Sequence, residues 1–250
     1  MCTVVVVADP SGGYWMAGNR DEARWRSAAK PPHVFEHGAI YPVDPDGGGT
    51  WTAANQWGLC FSLLNNYQAP TGLARDVVSR GHIITRLVEH NSIASAAQSI
   101  DQWTLTQFEP FVLLIAEPLA LKGVRTYRLT WDATTRKIDY NEGSLMQTSA
   151  AMASEQAHRW RNQKWRESPL SGTREHFDGD INIDTSLDEF FGAHHPQRSL
   201  ISVCKHGLIA STVSHTRIRV SADQVSVHYQ ASAPCKQVEA VQLALARQPS

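Results

Sequence analysis

Residues 1–22 read MCTVVVVADPSGGYWMAGNRDE. Val4 to Val7 are β-branched and lie inside the apolar run from Thr3 to Ala8. A half-exposed strand would alternate apolar with polar residues, so this run predicts a strand buried on both faces. Asp9-Pro10-Ser11-Gly12-Gly13 is a turn cluster, and Tyr14 to Gly18 return as a second strand, which makes a hairpin. An antiparallel hairpin sets the far end of its second strand beside the start of its first. With the turn near Gly12, residues 19–21 come back level with residues 2–4, and Arg20 and Asp21 come within reach of Cys2.

Outward from this hairpin, Glu22 to Pro32 reads as a basic loop. Short strands are predicted near Ala39–Val43, Thr50–Ala54 and Leu59–Leu64. Leu73, Val77, Ile84 and Val88 fall at helical spacing and predict a helix over Leu73–Glu89. Asn91 or Ser92 then caps a second helix, with Ile93, Ala96, Ala97, Ile100 and Trp103 as its apolar stripe. Phe111–Ala116, Val124–Thr130, Ile138–Tyr140 and Leu145–Thr148 read as strands. Ser154–Glu167 reads as an amphipathic helix with Ala157 and Trp160 inward, and Ser168–Asp184 as a long loop. Leu200–Cys204, Leu208–Val220 and Val225–Tyr229 read as closing strands, followed from Lys236 by a short helix or frayed end. Strands, then helices, then strands again predict an α+β layered fold. No composition break divides residues 1–250, which favours a single domain.

Composition excludes several function classes. Lys+Arg 23 against Asp+Glu 24 argues against a general nucleic-acid or anionic-membrane binder. No apolar run approaches the length of a membrane span, and the opening lacks the basic region of a secretory signal. Cys2, Cys60, Cys204 and Cys235 are far apart without a CxxC, which fits a reducing cytoplasm better than a disulfide framework. Gly47-Gly48-Gly49-Thr50 lacks the Lys of a phosphate loop, and Asp44-Pro45-Asp46-Gly47 lacks the remaining ligands of a calcium loop. The histidines show no paired metal-ligand spacing. Cys204 and His206 would share a strand face, but that alone assigns no metal, and no metal or organic cofactor is expected.

The chemistry concentrates at Cys2. If Met1 is removed, one residue carries both a thiol and an α-amine, which titrate near ~8.5 and ~7.7–8.0. The amine can then act as the base for its own thiol, directly or through a water. Arg20 nearby would favour the thiolate, and Asp21 would hold the ammonium by charge-assisted hydrogen bonds.

Met1-Cys2, Asn19-Arg20-Asp21-Glu22, Gly48-Gly49-Thr50-Trp51 and Leu64-Asn65-Asn66-Tyr67, in that order, resemble the NRDE family, which includes the transport-and-Golgi-organisation proteins. His195-Pro196, Ser202-Val203-Cys204-Lys205-His206 and Ser211-Thr212-Val213-Ser214 are similar to a bacterial branch. That family is related to choloylglycine hydrolases, penicillin V acylases and acyl-coenzyme A:6-aminopenicillanate acyltransferases. The resemblance implies a four-layer αββα sandwich of two mainly antiparallel sheets, of the N-terminal-nucleophile (Ntn) hydrolase type. It implies Cys2 as nucleophile and Asp21 as the acidic residue holding the amine. Arg20 approximately matches the acylases' arginine, and Asn65 matches the oxyanion-hole asparagine, with Asn66 one place along. The acylases' second asparagine falls at Thr148-Ser149. Their late arginine has Arg217 or Arg219 as stand-ins, with His215 nearest in register.

Catalytic roles are therefore expected at Cys2, Arg20, Asp21 and Asn65, and substrate contacts at Asn19, Trp51, Asn66 and Arg217. The expected partner is a small non-peptide acyl amide or thioester, hydrolysed or used for acyl transfer, with no nucleic acid and no membrane insertion. The rival expectation is a ligand-binding or trafficking protein, for haem or for acyl-coenzyme A and lipids, which uses the same pocket without turnover.

Overall fold

The computed structural model describes residues 2–74, 77–119, 123–172, 182–195, 197–236 and 238–249. The first half holds β1 (Cys2–Ala8), β2 (Tyr14–Ala23), β3 (Lys30–Phe35), β4 (Ala39–Val43), β5 (Thr52–Asn55), β6 (Cys60–Asn65), α1 (Gly81–Leu87), α2 (Ile93–Asp101) and β7 (Phe111–Leu119). The second half holds β8 (Gly123–Trp131), β9 (Arg136–Glu142), β10 (Leu145–Ser149), α3 (Ser154–Glu167), α4 (Ile183–Phe191), β11 (Ala210–Val220), β12 (Gln224–Gln230) and β13 (Val241–Ala246). One sheet has the order β10-β1-β2-β11-β12-β13, and the other runs from β3 to β9 in chain order. All of these strand pairs are antiparallel.

Three apolar cores stack these elements into four layers. Val4 and Val6 point between the sheets and meet Leu64, Leu114 and Val124. Val5 and Val7 point the other way, toward Leu187, Phe190 and Phe191 of α4. The β-branched run is thus buried on both faces, as its lack of alternation requires. On the outer face of the second sheet, Phe61, Leu113, Ile115 and Leu129 pack against α1 and α2. The order is α1/α2, second sheet, first sheet, α3/α4, which is the αββα sandwich. Tyr14 fastens the two sheets, with its hydroxyl 2.8 Å from the Gly58 carbonyl and 2.9 Å from that of Ala116. Among the described residues no helix is long and apolar enough to cross a membrane.

Most of the expected strands are present, and α2 is capped by Ser92, whose hydroxyl accepts from the Ser95 N–H. Four stretches differ. The helix expected from Leu73 begins only at Gly81, and Leu73 and Val77 are exposed. Residues before it are committed elsewhere: the Val78 N–H donates to Gln107 O, and the Arg80 guanidinium to Pro110 O. Gly81 also packs on Gly49 so closely that a Cβ there would sit 3.0 Å from the Gly49 Cα. The basic loop is shorter than expected, because β3 starts at Lys30 and pairs with β4. No regular strand forms over Leu200–Cys204, where the chain makes bends beneath α4. The tail forms β13, in which Val241, Leu243 and Leu245 alternate with exposed residues and pair with β12. That two-residue period is a half-buried edge strand and not a helix. Part of the expected 168–184 loop lies outside the described residues; α4 follows it.

Asn19 shows how the first sheet holds its helical layer. Its amide donates to Phe191 O (3.1 Å) and Val203 O (3.0 Å), and its oxygen lies 2.9 Å from His215 Nδ1. An amide oxygen only accepts, so Nδ1 carries the imidazole proton. Burial, then the charges of Arg217 and His228, pull the His215 pKa down to about 3. The unfolded chain takes up this proton near pH ~6.5. Between those values the unfolded state binds more protons, so the contribution of neutral His215 is complete above the unfolded value and is lost as pH falls. The expected slope reaches about 1.4 kcal/mol per pH unit. His215→Asn keeps a donor at the Nδ1 position for Asn19 without titrating. Urea denaturation from pH 7 to pH 4 should show the native protein losing stability faster than this variant, and parallel curves would contradict the assignment.

Candidate active site

The β1–β2 ladder pairs Cys2 with Arg20 and Thr3 with Asn19. On the other side of β1, Cys2 pairs with Ser149 of β10. Directly opposed residues project from the same face, so Arg20 and Ser149 flank Cys2 toward the space between the sheets. A cleft of about 400 Å³ opens there, bordered by Cys2, Arg20, Asp21, Trp51, Asn65 and Arg80, among others. The ladder and the end of β6 therefore bring Cys2, Arg20 and Asn65 to one cleft, while Asp21 borders it through its backbone and carries its carboxylate to the other face of the sheet.

Arg20 is buried and held on three sides. Its guanidinium lies 3.2 Å from Glu22 and 3.3 Å from Asp44, and 4.1 Å above the Trp51 ring. Such clamping fixes its position while the two carboxylates offset its charge. Arg26 shares Asp44 and also faces Glu22 and Asp46, so Arg20 and Arg26 form one ion-pair network with these carboxylates. Asn65 stands on the ridge between this cleft and a neighbouring hollow of about 550 Å³. One of its amide protons is given to the Tyr67 hydroxyl at 2.6 Å.

Burial pushes the Cys2 thiol up, and the Asp21 carboxylate adds to this. The Asp21 backbone N–H and Arg20 pull the other way without prevailing. A thiol so raised is a poor nucleophile at neutral pH unless a base takes its proton. No histidine borders the cleft among the described residues.

Asp21 projects from the opposite face of β2, toward α3. Its carboxylate accepts from the Thr212 hydroxyl at 2.7 Å and lies 3.6 Å from Arg161, both carboxylate and guanidinium being fully buried. Arg161 also donates to Thr3 Oγ1 and Thr148 Oγ1 (3.0 Å each) and to Ser202 O (2.9 Å). Lys205 is buried beside them, and burial lowers its pKa while Asp21 opposes the shift. Sequence reading missed both cations. Arg161 follows Ala157 by one helical turn on the same inward face, but an arginine in a charged helix reads as solvated until its neighbours are known.

The expected substrate contacts divide. Trp51 borders the Cys2 cleft and supports Arg20. Asn19 does not serve it, because both of its amide protons and its oxygen are engaged on the α4 side of the sheet. Asn66 borders the neighbouring hollow, with its amide on Trp131 O. Arg217 also faces α4, at 3.0 Å from Asp184 and 2.8 Å from Asp188. Strand alternation explains this, since Ile218 and Val220 of β11 point between the sheets and leave Arg217 and Arg219 on the other face. At the position of the acylases' second asparagine, Thr148 is bonded to Thr3, whereas the Ser149 hydroxyl is buried on the Cys2 face with no hydrogen-bond partner among the described residues.

Residues 1–191 match the model of the Transport and Golgi organisation 2 family. The chain belongs to that family. Among solved structures, the Caenorhabditis elegans ortholog of N-acylethanolamine-hydrolyzing acid amidase is similar at 14% identity and a TM-score of 0.58, over 87% of this chain and 92% of that one. At that identity the likeness establishes the Ntn-hydrolase sandwich and not the activity. No curated protein matches the sequence.

Removing one partner of a buried ion pair strands the other charge, typically at a cost of about 3–5 kcal/mol. Arg161→Met should therefore destabilise the chain by that order, and Arg161→Lys by less. Urea melts of both variants check this. A loss under about 1 kcal/mol for Arg161→Met would show that Asp21 does not depend on it.

Proposed function

We propose that the protein is an N-terminal-cysteine amidohydrolase or acyltransferase for a small non-peptide amide or thioester. One observation carries the reading: a buried thiol, opposite Arg20 in a cleft bordered by Asn65, has no histidine beside it among the described residues to act as base. The α-amine of Cys2, freed by loss of Met1, fills that role. Arg161 and Lys205 disfavour a second positive charge near the start of β1 and so keep more of the amine in its neutral, basic form. Asp21 limits this effect and orients the amine. The similar structure is that of an amidase, in agreement with amide chemistry, and the 400 Å³ cleft suits a small acyl group better than a polypeptide.

In the proposed cycle the amine takes the thiol proton and the sulfur bonds to the substrate carbonyl carbon. Asn65 and a backbone N–H stabilise the oxyanion, with the Ser149 hydroxyl available as a further donor. Collapse breaks the C–N or C–S bond, and the leaving group departs with the proton held by the amine. Water or an acceptor amine then attacks the thioester, gives its proton back through the α-amine and regenerates the thiol. Arg20 stabilises thiolate character at Cys2.

Intact-protein mass spectrometry with a panel of acyl amides and thioesters tests the scheme. Chains beginning at Cys2 should acylate, and Cys2→Ala should not. A chain with a non-removable N-terminal extension should not acylate either, because an amide nitrogen is not a base at neutral pH. Equal acylation with and without the extension would eliminate the α-amine as base. Asn65→Ala should slow turnover by about 10²–10³ if its amide serves the oxyanion. Ligand binding that Cys2→Ala leaves untouched, without any acyl-enzyme, would instead favour a binding or trafficking role.

A further inference from the structure

A second cluster of reactive side chains lies outside the Cys2 cleft. His194 follows α4, Cys204 and His206 lie on the bends before β11, and Cys235 lies on the turn after β12. Their ligand atoms all fall within 4.8 Å of one another. His206 Nε2 is 3.1 Å from His194 Nε2, 3.4 Å from Cys204 Sγ and 3.4 Å from Cys235 Sγ.

Hydrogen bonding does not account for this convergence. An imidazole nitrogen offers one in-plane proton or one in-plane lone pair, yet three groups crowd His206 Nε2. Tetrahedral coordination does account for it. Zn–N bonds of ~2.0–2.1 Å and Zn–S bonds of ~2.3 Å place nitrogens ~3.3 Å apart and nitrogen ~3.6 Å from sulfur. The three distances from His206 Nε2 are within a few tenths of an ångström of those edges, and the other ligand atoms lie within 4.8 Å of one another. Two sulfurs and two imidazoles are also a donor set that favours zinc over hard cations such as magnesium or calcium.

We propose that His194, Cys204, His206 and Cys235 form a closed structural site for one zinc ion. Binding releases two thiol protons to solvent. The two thiolates then cancel the ion's charge, and both histidines coordinate through Nε2 as neutral imidazoles. With all four positions supplied by protein, the ion has no open place for substrate, which distinguishes the site from a catalytic one. The ion staples three segments: the chain just after α4, the stretch before β11 and the turn after β12. One of them includes Val203, whose carbonyl receives Asn19, and Lys205, whose backbone N–H donates to the Thr212 that holds Asp21. Spacings of ten, two and twenty-nine residues match no familiar ligand motif, so sequence reading assigned these four no metal. The assignment does not rest on the hydrolase reading.

The test uses the tag-free full chain and reads metal, not turnover. Protein purified from zinc-containing medium should carry about one zinc per chain by elemental analysis. Chelator-stripped protein should rebind one equivalent of zinc, with a rise in Tm. With cobalt(II) it should show the visible bands of a tetrahedral thiolate site. Cys204→Ser and Cys235→Ser should each weaken zinc binding by more than about 100-fold, beyond a typical second-shell effect. Because a cysteine variant can misfold, His194→Ala and the stripped native chain, both checked by circular dichroism, provide the same comparison. Three results would overturn the site: no zinc or cobalt uptake by folded native protein, uptake undiminished in the folded variants, or a Cys204–Cys235 disulfide under reducing conditions in place of a metal.

Discussion

The antiparallel ladder between β1 and β2 fixes the surroundings of Cys2 one residue at a time. Because Cys2 stands opposite Arg20, the thiol and the guanidinium share the inter-sheet face. Because Asn19 and Asp21 flank Arg20, they share the other face and turn to the helical layer. A one-residue slip would exchange these sets. The ladder cannot slip, since Val4 and Val6 fill the inter-sheet core while Val5 and Val7 fill the core under α4. Burial of β1 on both faces thus sets both the fold and the site's geometry.

Charge is arranged differently on the two faces. Between the sheets, Arg20 and Arg26 are met by Glu22 and Asp44, and burial outweighs Arg20 in setting the Cys2 thiol. Beneath the sheet, Asp21 is joined to Arg161 and to Thr212, with Lys205 nearby. This lower network costs desolvation, which favourable geometry and further hydrogen bonds must offset. Arg161 meets that condition through Thr3, Thr148 and Ser202, so it joins the helical layer to β1 and β10 as well as holding Asp21. The proposed zinc site lies at the far end of this support, one residue from Lys205.

Although the hairpin register differs by one residue from the expected one, since Val4 pairs with Gly18 and not with Asn19, local chemistry legible in the sequence includes the hairpin, the two-sided burial of β1 and the cap of α2. Each depends on residues close together in the chain: an unbroken β-branched run, a Gly-Gly turn, a serine before an apolar stripe. The juxtaposition of Cys2 with Arg20 belongs here too, because counting back from one turn is enough to find it. Where sequence reading failed, a distant partner overruled a local pattern. Leu73 and Val77 have helical spacing, yet Val78 and Arg80 are held by residues 107–110. The tail looked frayed because its alternation acquires meaning only against β12.

By itself, then, the sequence determined an α+β layered fold and the nearness of Arg20 to Cys2, since both follow from element order and one short turn, while the αββα layering was implied by the family resemblance. Tertiary structure alone decided which polar groups meet. It turned Asn19 and Arg217 away from the cleft, buried Arg161 and Lys205 under Asp21, and gathered His194, Cys204, His206 and Cys235 from three segments. The physical reason is range. Apolar periodicity is written over a few neighbouring residues, whereas a buried charge or a metal site is defined by partners that only the folded chain brings together.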